Sequence, residues 1–285
     1  MSTDTSPAVV ITGCSTGIGR ATAKLLDQQG YRVFAGVRKE ADAQSLRGEG
    51  SERMQPLLLD VTDTASIEQA AKEISQALGE RGLLGLVNNA GIGFGGPMEF
   101  TDLDEMRSGF EVNVFGPVAV CQAFLPLLRR ARGRIVNVSS AAGRVSTPLL
   151  GPYCASKFAL EGWSDAMRVE LRSSGLHVCI VEPGFIDTPM QDKGKSETQR
   201  QIDRLTAEGT KHYGRAYEKF QELLKRFGKS AAPAEAVAAA IHRALSADRP
   251  RARYTVGKDA KLMSALNRLL PDRGKDMILG RLHEL

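Results

Sequence analysis

Cysteine is scarce in this 285-residue chain: Cys14, Cys121, Cys154 and Cys179 are scattered, with no Cys-x-x-Cys pair. The four histidines, His177, His212, His242 and His283, are equally dispersed. Such a distribution supports neither a disulfide framework nor a zinc site. No metal ligand is assigned, and reduced thiols in a cytoplasmic compartment are the expectation. An excess of one charge is also missing. Lys and Arg number 38 against 33 Asp and Glu, a net +5 spread along the chain. No nucleic-acid-binding motif accompanies it, so no nucleic-acid partner is expected. No uninterrupted apolar run approaches the ~18 residues of a membrane helix, so no membrane anchor is expected. The stretch ahead of the first apolar run, at Ala8, is too short for a signal peptide.

What the chain does have is a rhythm. Short β-branched runs (Ala8–Thr12, Arg32–Val37, Gln55–Leu59, Leu84–Val87, Arg134–Val138 and His177–Val181) alternate with helical patterns through residues 18–26, 67–78, 103–130 and 153–173. Strand and helix in strict alternation imply an α/β fold of Rossmann type: a doubly wound parallel sheet of about seven strands with helices on both faces. After Pro189 the rhythm breaks. Residues 190–230 are polar, with an amphipathic stretch at Tyr213, Tyr217, Phe220 and Leu224. An Ala-rich helix over Pro233–Leu245, a short strand at Tyr254–Val256 and two helices within 258–285 follow. No repeat or linker divides the chain. It reads as one domain over 1–285, with 190–230 as an insertion and 258–285 as a C-terminal helical extension.

Two motifs carry chemistry. Thr12-Gly13-Cys14-Ser15-Thr16-Gly17-Ile18-Gly19 lies where the first strand turns into the first helix. Glycines let the backbone approach a ligand closely, and the helix N-terminus offers N–H groups to a pyrophosphate. The second motif is Tyr153-x-x-x-Lys157, at a spacing that puts both side chains on one helix face. An ammonium beside a phenol favours the phenolate and is expected to lower the Tyr153 pKa, so that it trades a proton with an alcohol or carbonyl oxygen.

Together with Asn88-Asn89-Ala90-Gly91 and the Ser139-Ser140 pair, these motifs resemble the short-chain dehydrogenase/reductase family in its single-domain branch, in family order to about Thr188. The resemblance implies a nicotinamide cofactor. Its pyrophosphate would lie over Gly13, Ser15, Thr16, Gly17, Ile18 and Gly19. Asp60 and Val61 would meet the adenine, and Asn89, Ala90 and Gly91 the adenosine ribose side. Asn88 is expected to stabilise the sheet. Pro183, Gly184, Ile186 and Thr188 would hold the carboxamide. The implied catalytic set is Asn113, Ser140, Tyr153 and Lys157, with Ser139 competing with Ser140 for the oxygen-binding role. Tyr153 and Lys157 are also counted among the cofactor-binding residues, Lys157 on the nicotinamide ribose, and Asn113 would hold a proton-passing water. At the end of the second strand Val37-Arg38-Lys39 takes the place of an acidic residue. Arg38 suits a 2′-phosphate, so NADP(H) is favoured over NAD(H), with Glu40 and Asp42 near enough to bring the second back.

Substrate is expected beyond the carboxyl ends of the strands, against Phe94, Leu150 and Phe185 as well as Ser140 and Tyr153, with 190–230 as a lid. Such a pocket prefers a hydrophobic secondary alcohol or ketone. The phrases Val33–Arg38 and Leu269–Asp272, with the Tyr213/Tyr217 segment, look like the retinol and 17β-hydroxysteroid dehydrogenase subgroup; a broad-range carbonyl enzyme fits as well. Two alternatives accompany this reading. One is a 3-oxoacyl thioester reductase that docks an acidic carrier on Arg129, Arg130, Arg132 and Arg134. The other is a non-catalytic NADP-sensing regulatory protein. Family members form homodimers or homotetramers through their two long helices, and the same is expected here.

Overall fold

The first strand, β1 (Ala8–Ile11), is four buried apolar residues, and its alternation builds two cores. Val9 and Ile11 face one side of the sheet, Ala8 and Val10 the other. The structure is a computed structural model and describes residues 5–285. In chain order come α1 (Gly17–Gln28), β2 (Arg32–Val37), α2 (Glu40–Arg47), β3 (Met54–Leu58), α3 (Thr64–Leu78) and β4 (Gly85–Asn88). They are followed by α4 (Leu103–Phe110), α5 (Gly116–Ala131), β5 (Arg134–Val138), α6 (Gly151–Glu170), β6 (His177–Pro183) and β7 (Ile186–Asp187). The chain ends with α7 (Pro189–Asp203), α8 (Ala207–Gly228), β8 (Ala232–Pro233), α9 (Ala234–Ser246), β9 (Arg253–Val256), α10 (Lys258–Leu269) and α11 (Asp272–His283).

Seven strands pair in the order β3-β2-β1-β4-β5-β6-β9, all parallel. This is the doubly wound Rossmann-type sheet expected from the alternation. One core packs Ala23 and Leu26 of α1 and Val237 and Ile241 of α9 onto Val9, Ile11 and Val33. The other packs Ile67 and Ile74 of α3 and Val120, Phe124 and Leu128 of α5 onto Val10, Phe34 and Leu86. The chain leaves β1 toward β2 and β3, then returns to β4 on β1's other side. The crevice where the winding reverses therefore opens at the carboxyl ends of β1 and β4.

Several elements depart from the sequence reading. The short α2 has only Ala43 and Leu46 buried, too little to show a period in sequence. Residues 190–230 hold two helices, and α7 escaped notice because few of its positions are apolar. The long helix expected over 103–130 is found as Leu103–Ala131, α4 and α5 running on through a π-turn, Glu111–Phe115, that the sequence reading did not foresee. That helix is long and apolar enough by length and composition to cross a membrane, and half of its apolar window is buried. Polar interruptions hide it from a search for unbroken apolar runs, and a core helix has the same character.

A buried polar line crosses the centre of the sheet. Asn88 donates to Asn137 Oδ1 at 2.8 Å, and Asn137 donates to Ser164 Oγ of α6 at 2.8 Å. Asn88 thus stitches sheet to helix, as expected of it. Replacing Asn137 by Ala leaves the buried Asn88 amide only a weak sulfur acceptor, Cys121 Sγ at 3.2 Å. Asn137→Ala is expected to cost about 2 kcal/mol in urea unfolding with an unchanged slope. A loss below about 0.5 kcal/mol would show that the line is not needed.

Candidate active site

The glycine turn sits at the crevice. Gly13 and Gly17 have φ of 71° and 56°, the left-handed region that glycine enters without a Cβ penalty. A Cβ on Gly13 would stand 2.8 Å from Ala90 Cα, and one on Gly19 would overlap the Gly13 carbonyl oxygen. The turn is locked to the end of β4. Thr12 Oγ1 accepts from the backbone N–H of both Asn89 and Ala90 at 3.0 Å, and Asn89 Nδ2 donates to the carbonyls of Thr12 (2.9 Å) and Gly13 (3.1 Å). Thr16 caps α1 without a side-chain hydrogen bond, and the first turn holds no acidic residue. The N-terminal N–H groups therefore face the crevice with no competing side-chain acceptor or negative charge, which suits a pyrophosphate.

Around this cradle lie the other expected cofactor residues. Arg38 is exposed directly after β2; of the two acidic residues close by, both in the first turn of α2, Glu40 pairs with Arg47 at 2.8 Å and Asp42 is half-buried. Asp60 Oδ1 accepts from the N–H and hydroxyl of Thr62 (3.0 and 2.8 Å), an Asx turn that fixes the carboxylate at the end of β3 beside buried Val61. Thr188 stands against Gly17, 3.2 Å from where a Cβ would be. That contact brings the Pro183, Gly184, Ile186 and Thr188 segment to the same crevice as the glycine turn. The residues present fit a dinucleotide.

Tyr153 and Lys157 project from the first turns of α6. Ser140 follows β5: its Oγ accepts from Ala142 N at 3.1 Å, and its hydroxyl favours the Tyr153 phenolate. Ser139 Oγ lies by contrast against Gly143, beside Glu161, and has no hydrogen-bond partner there among the described residues. Lys157 Nζ donates to the Val138 carbonyl at 3.1 Å and lies 5.9 Å from the Tyr153 ring centroid. Asn113, in the π-turn, clamps this group to the β4 end. It accepts from Ile92 N (2.9 Å) and donates to Ile92 O (2.9 Å) and Ser156 Oγ (3.1 Å). A Cβ on Gly91 would lie 3.3 Å from Asn113 Oδ1 and 3.6 Å from Lys157 Nζ, so the three meet at one point. A π-turn here matches the frequent placement of such bulges at functional sites.

One expectation is corrected. The Tyr153 phenol is not lowered but pushed up to about 12, because burial disfavours the phenolate more than the Ser140 hydrogen bond favours it. Burial lowers Lys157 as well, to about 8, with Glu161 opposing. The ammonium spends a hydrogen bond on Val138 rather than on the phenol and is itself desolvated, so its pull on Tyr153 is overridden. At neutral pH the site therefore holds a protonated phenol and a charged lysine that gives up its proton readily.

On the substrate side, Phe94 is buried edge-on to Tyr153, with ring centroids 6.2 Å apart. Leu149 and Leu150 precede α6 and pack with Tyr217 and Phe220 of α8. Leu149 has φ of 64°, unusual for a bulky residue, and its carbonyl accepts from Gly96 N at 2.8 Å. Left-handed backbone at a non-glycine residue persists only where surroundings enforce it. Phe185 is half-buried and stacks on Phe227 of α8 at 5.0 Å. Gln201 of α7 donates to Gly95 O at 2.8 Å. The segment 190–230 thus packs over the loops that flank Tyr153.

Sequence reasoning missed the charged support beneath α6. Glu161 and Glu182 are 5% and 2% exposed, and Arg253 of β9 bridges them at 3.0 and 3.2 Å while also reaching Asp165 at 2.7 Å. The available signal was the spacing Tyr153, Lys157, Glu161, three residues in one i, i+4 series.

Residues 7–199 match the family model described as short chain dehydrogenase, and the chain belongs to that family. It is an oxidoreductase of the retinol and hydroxysteroid dehydrogenase-like subgroup. It is 39% identical to retinol dehydrogenase 5 of Mus musculus over 277 residues, covering 95% of this chain and 87% of that one. It is 40% identical to 17-beta-hydroxysteroid dehydrogenase type 6 of Bos taurus over 279 residues, covering 96% and 87%. Among solved structures it resembles a short chain dehydrogenase from Burkholderia cenocepacia in complex with NADP (TM-score 0.73, 25% identity, 97% of each chain). It also resembles one from Burkholderia phymatum in complex with NAD (TM-score 0.76, 25% identity, 98% of this chain and 96% of that one).

Proposed function

We propose that the chain interconverts a hydrophobic secondary alcohol and its ketone with NADP(H), using Tyr153 as the acid/base. The observation that carries this reading is the convergence of Lys157 and Asn113 beside Gly91, next to the buried Tyr153 phenol on which Ser140 acts. A nicotinamide dinucleotide bound in the crevice supplies the hydride, which no side chain here can. Gly13 to Gly19 would hold its pyrophosphate, Asp60 and Val61 its adenine, and Lys157 its nicotinamide ribose hydroxyls.

In the reductive direction Ser140 donates a hydrogen bond to the carbonyl oxygen and stabilises charge as it develops there. Tyr153 then gives its proton to that oxygen while the carbonyl carbon gains hydride, leaving an alcohol and a phenolate. An alkoxide is a far stronger base than a phenolate, so a phenol pushed up to about 12 still transfers its proton downhill. The Lys157 ammonium offsets the phenolate's charge, and the phenol is reloaded through water held near Asn113. Oxidation is the same path reversed.

The preference for NADP(H) rests on Arg38, exposed at the end of β2, and on Glu40 being held by Arg47. The hydrophobic substrate rests on Phe94, Leu150 and Phe185 around Tyr153, on the apolar inner face of α8, and on the names of the relatives. The thioester alternative loses its main support. Arg130 and Arg134 donate to the carbonyls of Gly79 and Ala244, where the chain enters β5 and therefore at the sheet end opposite Tyr153.

Tyr153→Phe is expected to lower kcat for reduction of hydrophobic ketones by about 10³-fold while leaving NADPH affinity unchanged. Arg38→Glu should reverse the NADPH-over-NADH preference in the same assay. Wild-type turnover retained by the Tyr153→Phe variant would contradict the acid/base assignment.

The pH dependence follows from the two shifts. Reduction needs Tyr153 protonated and Lys157 charged, and the lysine, at about 8, loses its proton long before the phenol. Reductive kcat/KM should be level at lower pH and fall as pH rises through about 8. Lys157→Arg keeps its charge and should carry the falling limb upward by more than about one unit. A wild-type profile that stays level into strongly alkaline solution would show that the lysine charge is not required.

A further inference from the structure

Asp259 lies in the first turn of α10, far in sequence from the glycine turn and the Tyr153/Lys157 motif. Its carboxylate reaches back to the turn that follows β6: Oδ2 accepts the backbone N–H of Phe185 at 2.7 Å. Gly184 passes so close that an added Cβ would overlap both carboxylate oxygens, and a Cβ on Gly257 would stand 2.5 Å from Oδ1. Beside this, Gly184 N donates to Val256 O at 2.9 Å. The two glycines leave the room that the carboxylate fills. Phe185 is held on its other sides as well. Its carbonyl accepts from Ala232 N at 3.0 Å, and its ring stacks on Phe227 near the end of α8.

We propose that Asp259 is a positioning residue that fixes the Pro183–Thr188 turn for the nicotinamide half of the dinucleotide. This rests on the cofactor reading above. The turn has little regular structure of its own: β7 is two residues long and pairs only with β8. Its shape is therefore set by side-chain bonds, and a carboxylate acceptor makes the strongest kind available to a backbone N–H. Because Phe185 also meets α8, the same bond fixes where that end of the lid rests. The adenosine half of the ligand would lie against Asp60 and Arg38, on elements Asp259 does not touch, so its binding should be independent of this bond.

The test compares whole and half ligands by calorimetry on the full chain: NADPH with adenosine 2′,5′-bisphosphate, and NADH with AMP. Asp259→Ala is expected to weaken the dinucleotide about tenfold, some 1.4 kcal/mol, and to leave the adenosine half unchanged. Asp259→Asn keeps a carbonyl oxygen for Phe185 N–H and should recover most of the loss. Gly184→Ala, which crowds the carboxylate without removing it, should reproduce the Asp259→Ala pattern. Equal loss of both ligands in all three variants, or no loss of either, would overturn the proposal. A wild-type chain that binds neither dinucleotide would overturn the cofactor reading and this inference with it; binding that is unaffected by the variants would overturn this inference alone.

Discussion

The structure depends most on the seam between the ends of β1 and β4. Parallel strands that wind in opposite directions leave a gap at the reversal, and backbone groups exposed there must find partners. The Thr12 hydroxyl and the Asn89 amide supply them, four hydrogen bonds between two strand ends far apart in sequence. That stitching brings Gly13 against Ala90 and opens the α1 N-terminus to the crevice. It also carries the chain on from Asn89 to Gly91, where Asn113 and Lys157 converge. The phosphate end and the reacting end of the site are thus set by one junction.

Burial is the second constraint, and it acts on the chemistry. Removing Tyr153 and Lys157 from water disfavours both charged forms, and the phenol rises while the lysine falls. A protein that buries a lysine must hold it by other means. Here the Val138 carbonyl, the nearby Glu161 and the Arg253 bridge beneath α6 form that support. The carboxylates beneath the helix are costly by themselves, and Arg253 and Arg144 compensate them. The edge strand β9 therefore contributes to the site twice, through Arg253 beneath α6 and through the Val256 carbonyl that holds Gly184 N.

Much of this was legible in the chain. The strands were, because a strand buried on both faces is an unbroken β-branched run. The Tyr153/Lys157 face was, because helical spacing is rigid. Ser140 over Ser139 was implied by resemblance, and only in three dimensions does Ser139 Oγ stand against Gly143. The direction of the Tyr153 shift was not legible: spacing gives proximity to an ammonium but not how deeply both groups are buried. Helix α7 was hidden by its polarity, since a helix laid over other helices needs only a few apolar positions. Asp259 was invisible for another reason. Nothing in an Asp near a helix start reveals that it reaches a turn 74 residues earlier.

The measurement that tests the account most directly is the fate of a labelled hydride. The purified chain would be mixed with NADPH deuterated at the nicotinamide 4-position and a steroid or retinoid carbonyl, and the product examined by mass spectrometry. The account predicts one deuterium on the former carbonyl carbon, with solvent supplying the hydroxyl proton. A product formed without the label, or cofactor bound tightly with no carbonyl in either class reduced, would contradict it.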